Sequence, residues 1–320
     1  MNKSNDSNSN GSNFQSFVYH NITARLAQFP KLHSFVRAIY RSCYEETNIN
    51  PNYRLSQSLI LAQQKIRTQN LPDITIGKKF IWTTRDDFKL PYDPRIRTGY
   101  YPFSEKMTSI ADEQLFAVIK KKSKHSPTIV LDIGANIGVT AVGFSKLFEK
   151  ATIYAYEPVP STFAILSALV FENKNKLSKI VPKQLAIGKQ IGEIFMTTDL
   201  NTGNHVVNQK GKNTTRVQVT TIDEQVAKIG KAPQLIKIDV EGLEWSVLLG
   251  AQKTLRAHKP MLVLELYEPW LKRFGTNANQ IIAFLQSVGY EYYCVDTATN
   301  ANANGSVAAD LKKNINFIFY

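Results

Sequence analysis

Cysteine is scarce in this sequence, with Cys43 and Cys294 the two examples among 320 residues. Two distant cysteines provide neither the framework of a disulfide-rich secreted protein nor the spacing of a cysteine zinc site. Long apolar runs are also lacking, since no stretch approaches the roughly 20 residues of a membrane-spanning helix. The first residues are polar, unlike the apolar core of a secretory signal. We therefore expect a protein of a reducing compartment, the cytoplasm.

Positive charge is unevenly distributed along the chain. Residues 1–127 carry 19 Lys and Arg against 10 Asp and Glu, whereas residues 128–320 carry 20 against 16. An excess of basic side chains favours anionic partners such as nucleic acid, phospholipid or an acidic glycan. The alternative interpretation is a charged surface that serves solubility. An apolar content of 43% suffices for a buried core.

The N-terminal part of the chain predicts an extension. Residues 1–13 are mostly Asn, Ser and Gly and are expected to form a disordered tail. Residues 14–70 show helical spacing of apolar side chains next to Lys and Arg, which predicts a helical extension. Such a helix either packs on its own domain or makes peripheral contact with a membrane. Residues 71–126 predict a lead-in segment with short strands and one helix.

Residues 127–320 alternate between apolar strands and amphipathic helices. Strands are predicted at 129–133, 152–156, 180–186, 235–239, 261–266, 290–295 and 315–320, and helices at 139–148, 160–171, 221–229, 243–257 and 277–288. This alternation predicts an α/β domain whose mainly parallel sheet carries helices on both faces. The polar segment 193–219 predicts a hairpin-like insertion.

The stretch TIVLDIGANIGV, residues 128–139, predicts the cofactor site. A buried strand that leads into a glycine turn and a helix is how α/β proteins bind cofactors. Glycines let the backbone approach a ligand closely. The candidate cofactor-binding residues in this stretch are Asp132, Gly134, Ala135, Asn136 and Gly138.

Two cofactor classes compete for this turn. A dinucleotide site requires G-x-G-x-x-G, but here the middle glycine is absent and Asn136 stands near its place. The carboxylate of Asp132 is unfavourable for a pyrophosphate, whereas it suits the ammonium and sulfonium of S-adenosylmethionine. The turn therefore favours S-adenosylmethionine. Glu157 ends the second predicted strand, 19 residues after Gly138, where a carboxylate can accept hydrogen bonds from ribose hydroxyls in either case.

The segment LIKIDVEGLEW, residues 235–245, collects charged side chains at a third strand end. Asp239 is a candidate base for the proton of an acceptor hydroxyl, and Glu241 a candidate to assist it or to hold a divalent cation. Lys237 is a candidate for substrate binding. The structural alternative is that Asp239 and Glu241 cap the helix while Glu244 pairs with Lys237.

Two further side chains are candidates. His205, in the polar insertion, is a second candidate base, with an ordinary loop histidine as the alternative. Glu265, at the end of the fifth predicted strand, is a candidate for the acceptor pocket. Asp239, Glu241 and Glu265 together are the candidate ligands of a divalent cation, whose requirement stays open.

The ordered motifs between residues 128 and 296 resemble the FkbM-type S-adenosylmethionine-dependent methyltransferases. These motifs are LDIGANIG, YAYEP, LAIG, TIDE, LIKIDVEGLEWSVLLGA and VLELYEP. The resemblance implies a class I methyltransferase fold, with a seven-stranded sheet whose last strand is antiparallel. It also implies methyl transfer to oxygen, typically a hydroxyl of a sugar or a secondary metabolite. By position, it assigns the glycine turn to the cofactor and Glu157 to its ribose.

The sequence thus predicts an S-adenosylmethionine-dependent O-methyltransferase that acts on a sugar, glycan or small metabolite. The alternatives are an RNA methyltransferase, a dinucleotide-dependent oxidoreductase and a non-catalytic adapter that binds a membrane or another anion through the basic N-terminal part. The sequence does not predict an oligomeric state.

Overall fold

The computed structural model describes residues 74–76, 81–85, 88–92, 113–123, 125–198, 206–207, 209–211, 213–295 and 315–320. The predicted tail at 1–13 and helical extension at 14–70 lie outside these residues. The chain divides into two compact units, residues 1–84 with 92–100 and residues 85–91 with 101–320. In the first unit, residues 74–76 of strand β1 pair antiparallel with residues 81–83 of strand β2.

The helices and strands follow one another in an alternating order. They are β1 (Ile74–Ile76), β2 (Ile81–Arg85), β3 (Phe88–Tyr92), α1 (Glu113–Lys122), β4 (Ile129–Ile133), α2 (Val139–Leu147), β5 (Thr152–Tyr156), α3 (Pro160–Glu172), β6 (Lys179–Lys183), β7 (Ala186–Ile187), β8 (Gly192–Thr197), β9 (Val206–Val207), β10 (Thr214–Thr220), α4 (Ile222–Ile229), β11 (Leu235–Ile238), α5 (Glu244–Leu249), α6 (Gln252–His258), β12 (Met261–Leu266), α7 (Glu268–Arg273), α8 (Ala278–Ser287), β13 (Tyr292–Cys294) and β14 (Ile315–Phe319). Among them, no helix has the length and apolar character needed to cross a membrane.

A large sheet forms the centre of the second unit. Within the described residues it has seven strands in the order β13-β14-β12-β11-β4-β5-β6. The pairs from β12 to β6 are parallel, whereas β14 runs antiparallel to both β12 and β13. This order and the reversed last strand confirm the predicted class I methyltransferase fold.

The core lies on both faces of this sheet because successive side chains of a strand point in opposite directions. Along β4, which is buried throughout, Ile129, Leu131 and Ile133 pack with residues of α5, α6 and α8. Val130 belongs to the opposite cluster, with residues of α1, α2 and α3. Helices therefore cover both faces, as the alternating sequence predicts, and the carboxyl ends of the parallel strands meet at one edge.

A smaller sheet follows β6. Its described strands are in the order β7-β10-β8-β9, with β8 and β10 antiparallel. The predicted insertion at 193–219 is therefore β-structured. The predicted third strand at 180–186 was wrong in one respect, because its last residue, Ala186, belongs to β7 of this second sheet. One face of the sheet packs Met196, Val217 and Val219 against Val159.

The predicted helix at 243–257 is two helices, α5 and α6. The carbonyl of Gly250, between the two helices, accepts a hydrogen bond from the N–H of Asp223 at 3.0 Å. This carbonyl therefore bonds to a distant residue and not within a continuous helix. The Asp223 carboxylate then accepts the N–H groups of Lys253 at 3.1 Å and Thr254 at 2.8 Å, where α6 begins. Helix α7 was missed, since the prediction placed no element between 266 and 277.

Candidate active site

A cleft that is partly open to solvent lies over the ends of β4, β5 and β11. Its polar lining comes from the turns that follow these strands and from the start of α3. These residues are Asn136, Glu157, Thr162, Asp239 and Glu241. An apolar wall comes from the segment after β6 and from the smaller sheet: Leu185, Ala186, Ile187, Ile194, Met196 and Val206. The cleft therefore offers hydrogen-bonding groups on one side and an apolar surface on the other.

The glycine turn, residues 134–138, connects β4 to α2. The N–H groups of Gly134 and Ala135 both donate to the carbonyl of Tyr156, at 3.0 and 2.9 Å. Gly134 has a φ of 79°, and a Cβ atom there would lie 1.8 Å from the carbonyl oxygen of Asp239. Only glycine fits this position, because the obstacle is backbone that cannot move aside.

Glu157 stabilises the glycine turn from the end of β5. Its Oε2 accepts the N–H of Asn136 at 3.1 Å, and its Oε1 accepts the N–H of Val159 at 2.9 Å. Asn136 has a φ of 52°, a left-handed conformation that asparagine tolerates better than most residues. Burial raises the pKa of Glu157 to about 7, and the two N–H bonds oppose this effect.

The β11–α5 turn, residues 239–243, lies beside the glycine turn. The N–H of Asp239 donates to the carbonyl of Ile133 at 3.1 Å. Glu241 has a φ of 54°. Glu244 Oε1 accepts the N–H of Val240 at 3.0 Å and of Gly242 at 3.2 Å. Glu244 thus bonds to the backbone of the turn, whereas the structural alternative paired it with Lys237, which instead lies against Asp239 and Asp132.

Lys237 is the buried cation between the two turns. Its Nζ lies 2.9 Å from Asp239 Oδ2 and 3.7 Å from Asp132 Oδ1, and it donates to the carbonyl of Gly134 at 3.3 Å. The register explains this cluster, because Lys237 and Asp132 are direct neighbours on adjacent strands. Burial lowers the pKa of Lys237, but the charges of Asp239 and Asp132 outweigh burial and raise it.

Two carboxyls near Lys237, the buried Asp132 and the half-buried Glu241, have raised pKa values. Burial raises the pKa of Asp132 to about 6, although Lys237 opposes the change. Burial, together with the charges of Asp239 and Glu265, raises the pKa of Glu241 to about 8. Glu241 lines the cleft, and carboxyls with a perturbed pKa in a cleft are characteristic of functional sites.

The three candidate metal ligands are not gathered into a group of three in the described residues. Across the described part of the chain, no group of three or more His, Cys, Asp or Glu side chains is arranged to hold an ion. The role of Asp239, Glu241 and Glu265 as ligands of a divalent cation stays a prediction. At Asp239, the ammonium of Lys237 already lies against the carboxylate and supplies positive charge.

The family model of the methyltransferase FkbM domain matches residues 132–292 of this chain, which include both turns and Glu157. The chain belongs to the FkbM methyltransferase family.

Individual relatives are similar to this chain over part of its length and at low sequence identity. The hexuronic acid methyltransferase AglP of Haloferax volcanii is 29% identical over 134 residues, which are 40% of this chain and 52% of that protein. The chain thus spans about half the length of this relative. Methyltransferase sdnD of Sordaria araneosa is 25% identical over 230 residues, covering 61% of this chain and 86% of that protein. The solved methyltransferase FkbM of Methylobacillus flagellatus KT is 18% identical, with a TM-score of 0.43, and covers 61% of this chain and 44% of that one.

The FkbM domain brings some of the predicted site residues together and sets others apart. Gly134, Asn136, Glu157, Asp239 and Glu241 line the cleft. Four other candidates do not line it: Asp132, Ala135, Gly138 and Lys237. Lys237, predicted to bind substrate, instead pairs with the carboxylates beneath the cleft. Glu265 influences the pKa of Glu241 and of Lys237 but is outside the lining. His205 lies outside the described residues.

The residues of the FkbM cleft fit S-adenosylmethionine. Within the described structure, both carboxylate oxygens of Asp132 and the Oδ1 of Asn136 are buried without a hydrogen-bond partner. Oxygens of this kind are suited to a cationic, hydroxyl-rich ligand. The N–H of Asn136 is already bonded to Glu157, so a carboxylate stands where a dinucleotide would need N–H groups free for its pyrophosphate. This arrangement favours S-adenosylmethionine over a dinucleotide.

Sequence reasoning missed the apolar wall of the cleft and Thr162. Ile194 and Met196 lie two residues apart on β8, but the residue between them is the apolar Phe195, so no alternation of apolar and polar side chains marked this face. Which cavity that face would line depends on how the smaller sheet is placed, and the pattern does not encode this.

Proposed function

We propose that this chain transfers a methyl group from S-adenosylmethionine to a hydroxyl oxygen of a sugar, glycan or small metabolite. The observation that carries the proposal is the meeting of the glycine turn, Glu157 and Asp239 around one cleft at three adjacent strand ends. The Haloferax relative is a hexuronic acid methyltransferase, which supports a sugar as acceptor.

Cofactor binding in this proposal uses the groups that the fold leaves available. S-adenosylmethionine, when bound, supplies a methyl group that its sulfonium has already activated. Glu157 would accept hydrogen bonds from the ribose hydroxyls, since a carboxylate has lone pairs beyond the two used by backbone N–H groups. Asn136 Oδ1 would accept a further hydrogen bond, and Asp132 would contribute negative charge from beneath the turn.

Asp239 is the base in this proposal. Its side chain is 30% exposed and lines the cleft, while Lys237 Nζ, at 2.9 Å from Oδ2, orients it. The cofactor, when bound, would supply the methyl group to the acceptor oxygen and would keep the electron pair of the carbon–sulfur bond. The proton of the acceptor hydroxyl passes to the Asp239 carboxylate. The protein contributes chiefly alignment and proton removal. His205 stays an untested second candidate.

The test is calorimetric titration of the full chain with S-adenosylmethionine. We expect saturable binding at one site, at least about tenfold weaker in Glu157→Ala because a charged acceptor is lost. Gly134→Val should not bind, because its side chain would collide with the backbone of Asp239. Absence of binding by the wild-type chain would refute the proposal. Mass spectrometry of neutral sugars, uronic acid glycosides and RNA after incubation would then identify the acceptor class.

RNA as acceptor, peripheral membrane contact through residues 14–70 and a cytoplasmic location are further proposals. The excess of Lys and Arg in residues 1–127 supports the first two. Removing residues 1–70 and measuring sedimentation with anionic liposomes and retention of RNA would test both. Unchanged binding would reject a role for that segment.

A further inference from the structure

The β11–α5 turn is built around a carboxylate that does not line the cleft. Glu244 is 2% exposed, and a single oxygen, Oε1, accepts the N–H groups of Val240 and Gly242. These two hydrogen bonds lie on either side of Glu241 in the sequence. The backbone on both sides of Glu241 is therefore fixed by one buried atom.

Glu241 needs this support because of its backbone conformation. A φ of 54° is costly for a residue with a side chain, and such conformations persist only where the surroundings impose them. The surroundings on the far side of the turn are rigid as well, since a Cβ at Gly242 would lie 2.6 Å from the carbonyl oxygen of Trp270. The turn is thus held between Glu244 and α7.

We propose that Glu244 is a positioning residue: through Oε1 it holds the β11–α5 turn so that Glu241 and Asp239 face the cleft. This role rests on the methyl transfer proposed above, for which these two carboxyls form one wall of the cleft. Glu244 acts through the turn and contacts no ligand.

The hydrogen bonds of Glu244 and its negative charge can be tested separately, because only Oε1 accepts the two N–H groups. Within the described residues, Oε2 is buried and has no hydrogen-bond partner. Glutamine would keep an accepting oxygen for Val240 and Gly242 while it removes the charge. That charge is one of the causes that raise the pKa of Glu241, after burial and the charges of Asp239 and Glu265. Alanine would remove both effects.

The experiment compares Glu244→Gln and Glu244→Ala with the wild-type chain. Asp223→Ala is the matched control, because Asp223 also accepts two backbone N–H groups, those of Lys253 and Thr254, but lies outside the cleft lining. Hydrogen exchange resolved to single amides is measured at Val240 and Gly242. We expect exchange at least about tenfold faster in Glu244→Ala, and near wild-type rates in Glu244→Gln and Asp223→Ala.

The second readout is the titration of Glu241, followed by NMR of ¹³Cδ-labelled glutamate and assigned with Glu241→Gln. In Glu244→Ala we expect the pKa of Glu241 to fall from about 8 towards the ordinary value of 4.5, because its carboxyl becomes more exposed to water. In Glu244→Gln the fall should be smaller, since only one neighbouring charge is lost.

Two results would overturn the proposal. One is wild-type exchange at Val240 and Gly242 in Glu244→Ala. The other is faster exchange with an unchanged Glu241 titration, which would make Glu244 a purely structural support. If Glu244→Ala does not fold, the Glu244→Gln variant decides. Amide exchange at Val240 and Gly242 that is about tenfold faster in this variant than in the wild type would contradict the role of Oε1. Failure of the wild-type chain to bind S-adenosylmethionine would refute the proposed function and leave these measurements valid.

Discussion

The glycine turn and the β11–α5 turn lie side by side at the ends of the neighbouring strands β4 and β11. Each contains one non-glycine residue in the left-handed region, Asn136 at φ 52° and Glu241 at φ 54°. Each is held by a buried glutamate whose side chain accepts two backbone N–H groups. Each of these two glutamates, Glu157 and Glu244, has a pKa that burial raises to about 7.

The two glutamates differ in where they lie. Glu157 comes from the neighbouring strand end and lines the cleft, so it can serve the turn and a ligand together. Glu244 comes from the helix that its own turn begins and does not line the cleft. In both turns a buried carboxylate accepts hydrogen bonds from a strained backbone. At Glu157 this carboxylate lies at the cleft surface, whereas at Glu244 it lies behind the surface.

The largest effect is expected from filling the glycine positions of the two turns. Gly134→Ala places a Cβ 1.8 Å from the Asp239 oxygen, and Gly242→Ala places one 2.6 Å from the Trp270 oxygen. We expect losses in unfolding free energy of about 3 kcal/mol or more for the first and about 2 kcal/mol for the second. Urea unfolding measures both.

The control for these substitutions is Gly192→Ala, where a Cβ would meet nothing within 4 Å. Its unfolding free energy should stay within about 0.5 kcal/mol of wild type. Equal stability of Gly134→Ala and Gly192→Ala would disprove the close contact between the two turns.

The next effect concerns cofactor affinity. Glu157→Gln should weaken S-adenosylmethionine binding at least about tenfold, because hydrogen bonds to a charged acceptor are the stronger kind. Glu244→Gln should leave the dissociation constant within about threefold, since it keeps the accepting oxygen and lies outside the lining. Calorimetry at one pH compares them. Equal weakening by both would remove the distinction between the two glutamates.

The pH dependence of stability is a third test. The pKa values of Glu157 and Glu244, at about 7, lie above the ordinary value of 4.5, so the folded chain binds more protons than the unfolded chain between these values. Their contribution to stability is therefore greatest below about pH 4.5 and is lost as the pH rises through about 7.

Unfolding measured from pH 4.5 to 8 should show a smaller decline in a Glu157→Gln/Glu244→Gln double variant than in the wild type. Each single variant should remove part of the difference. Parallel curves for the wild type and the double variant would show that neither carboxyl titrates in this range.

The smallest effect is expected from glycine at the left-handed residues. Glu241→Gly should stabilise the fold by about 0.5–1 kcal/mol, because a side chain is unfavourable at this φ. Asn136→Gly should gain less, since asparagine tolerates the conformation. Lys259→Gly, at an exposed left-handed helix end with φ 43°, is the reference. Thermal unfolding decides the order, and a larger gain at Asn136 than at Glu241 would contradict it.

The sequence carried most of the fold because its signals are local. The apolar runs 129–133 and 261–266 are strands with those bounds, and the reversed closing strand was implied by the family resemblance. The break between α5 and α6 was not predictable from periodicity, because it depends on a hydrogen bond between Gly250 and Asp223, which are distant in the chain. Helix α7 is six residues long, too short for a periodic pattern to reveal.

Site residues were predictable from the sequence where the residue type and its place at the end of a strand suggest a role. Glu157 and Asp239 line the cleft as expected from their strand ends. The structural alternative paired Glu244 with Lys237, whereas its carboxylate bonds to backbone N–H groups. Such bonds leave no partner side chain that the sequence could show. The candidate metal ligands are not gathered into a group of three in the described residues, and Asp239 instead has the ammonium of Lys237, two residues earlier in the chain, at 2.9 Å.

The contact between Gly134 and the Asp239 carbonyl also restricts how this domain can be rebuilt. At this clearance the two turns are complementary surfaces, and each must be shaped to the other. A chimera that takes residues 134–138 from a relative should take residues 239–244 from the same parent. For protein engineering, the transferable module is therefore a pair of loops separated by about a hundred residues of intervening chain, and not a single linear motif.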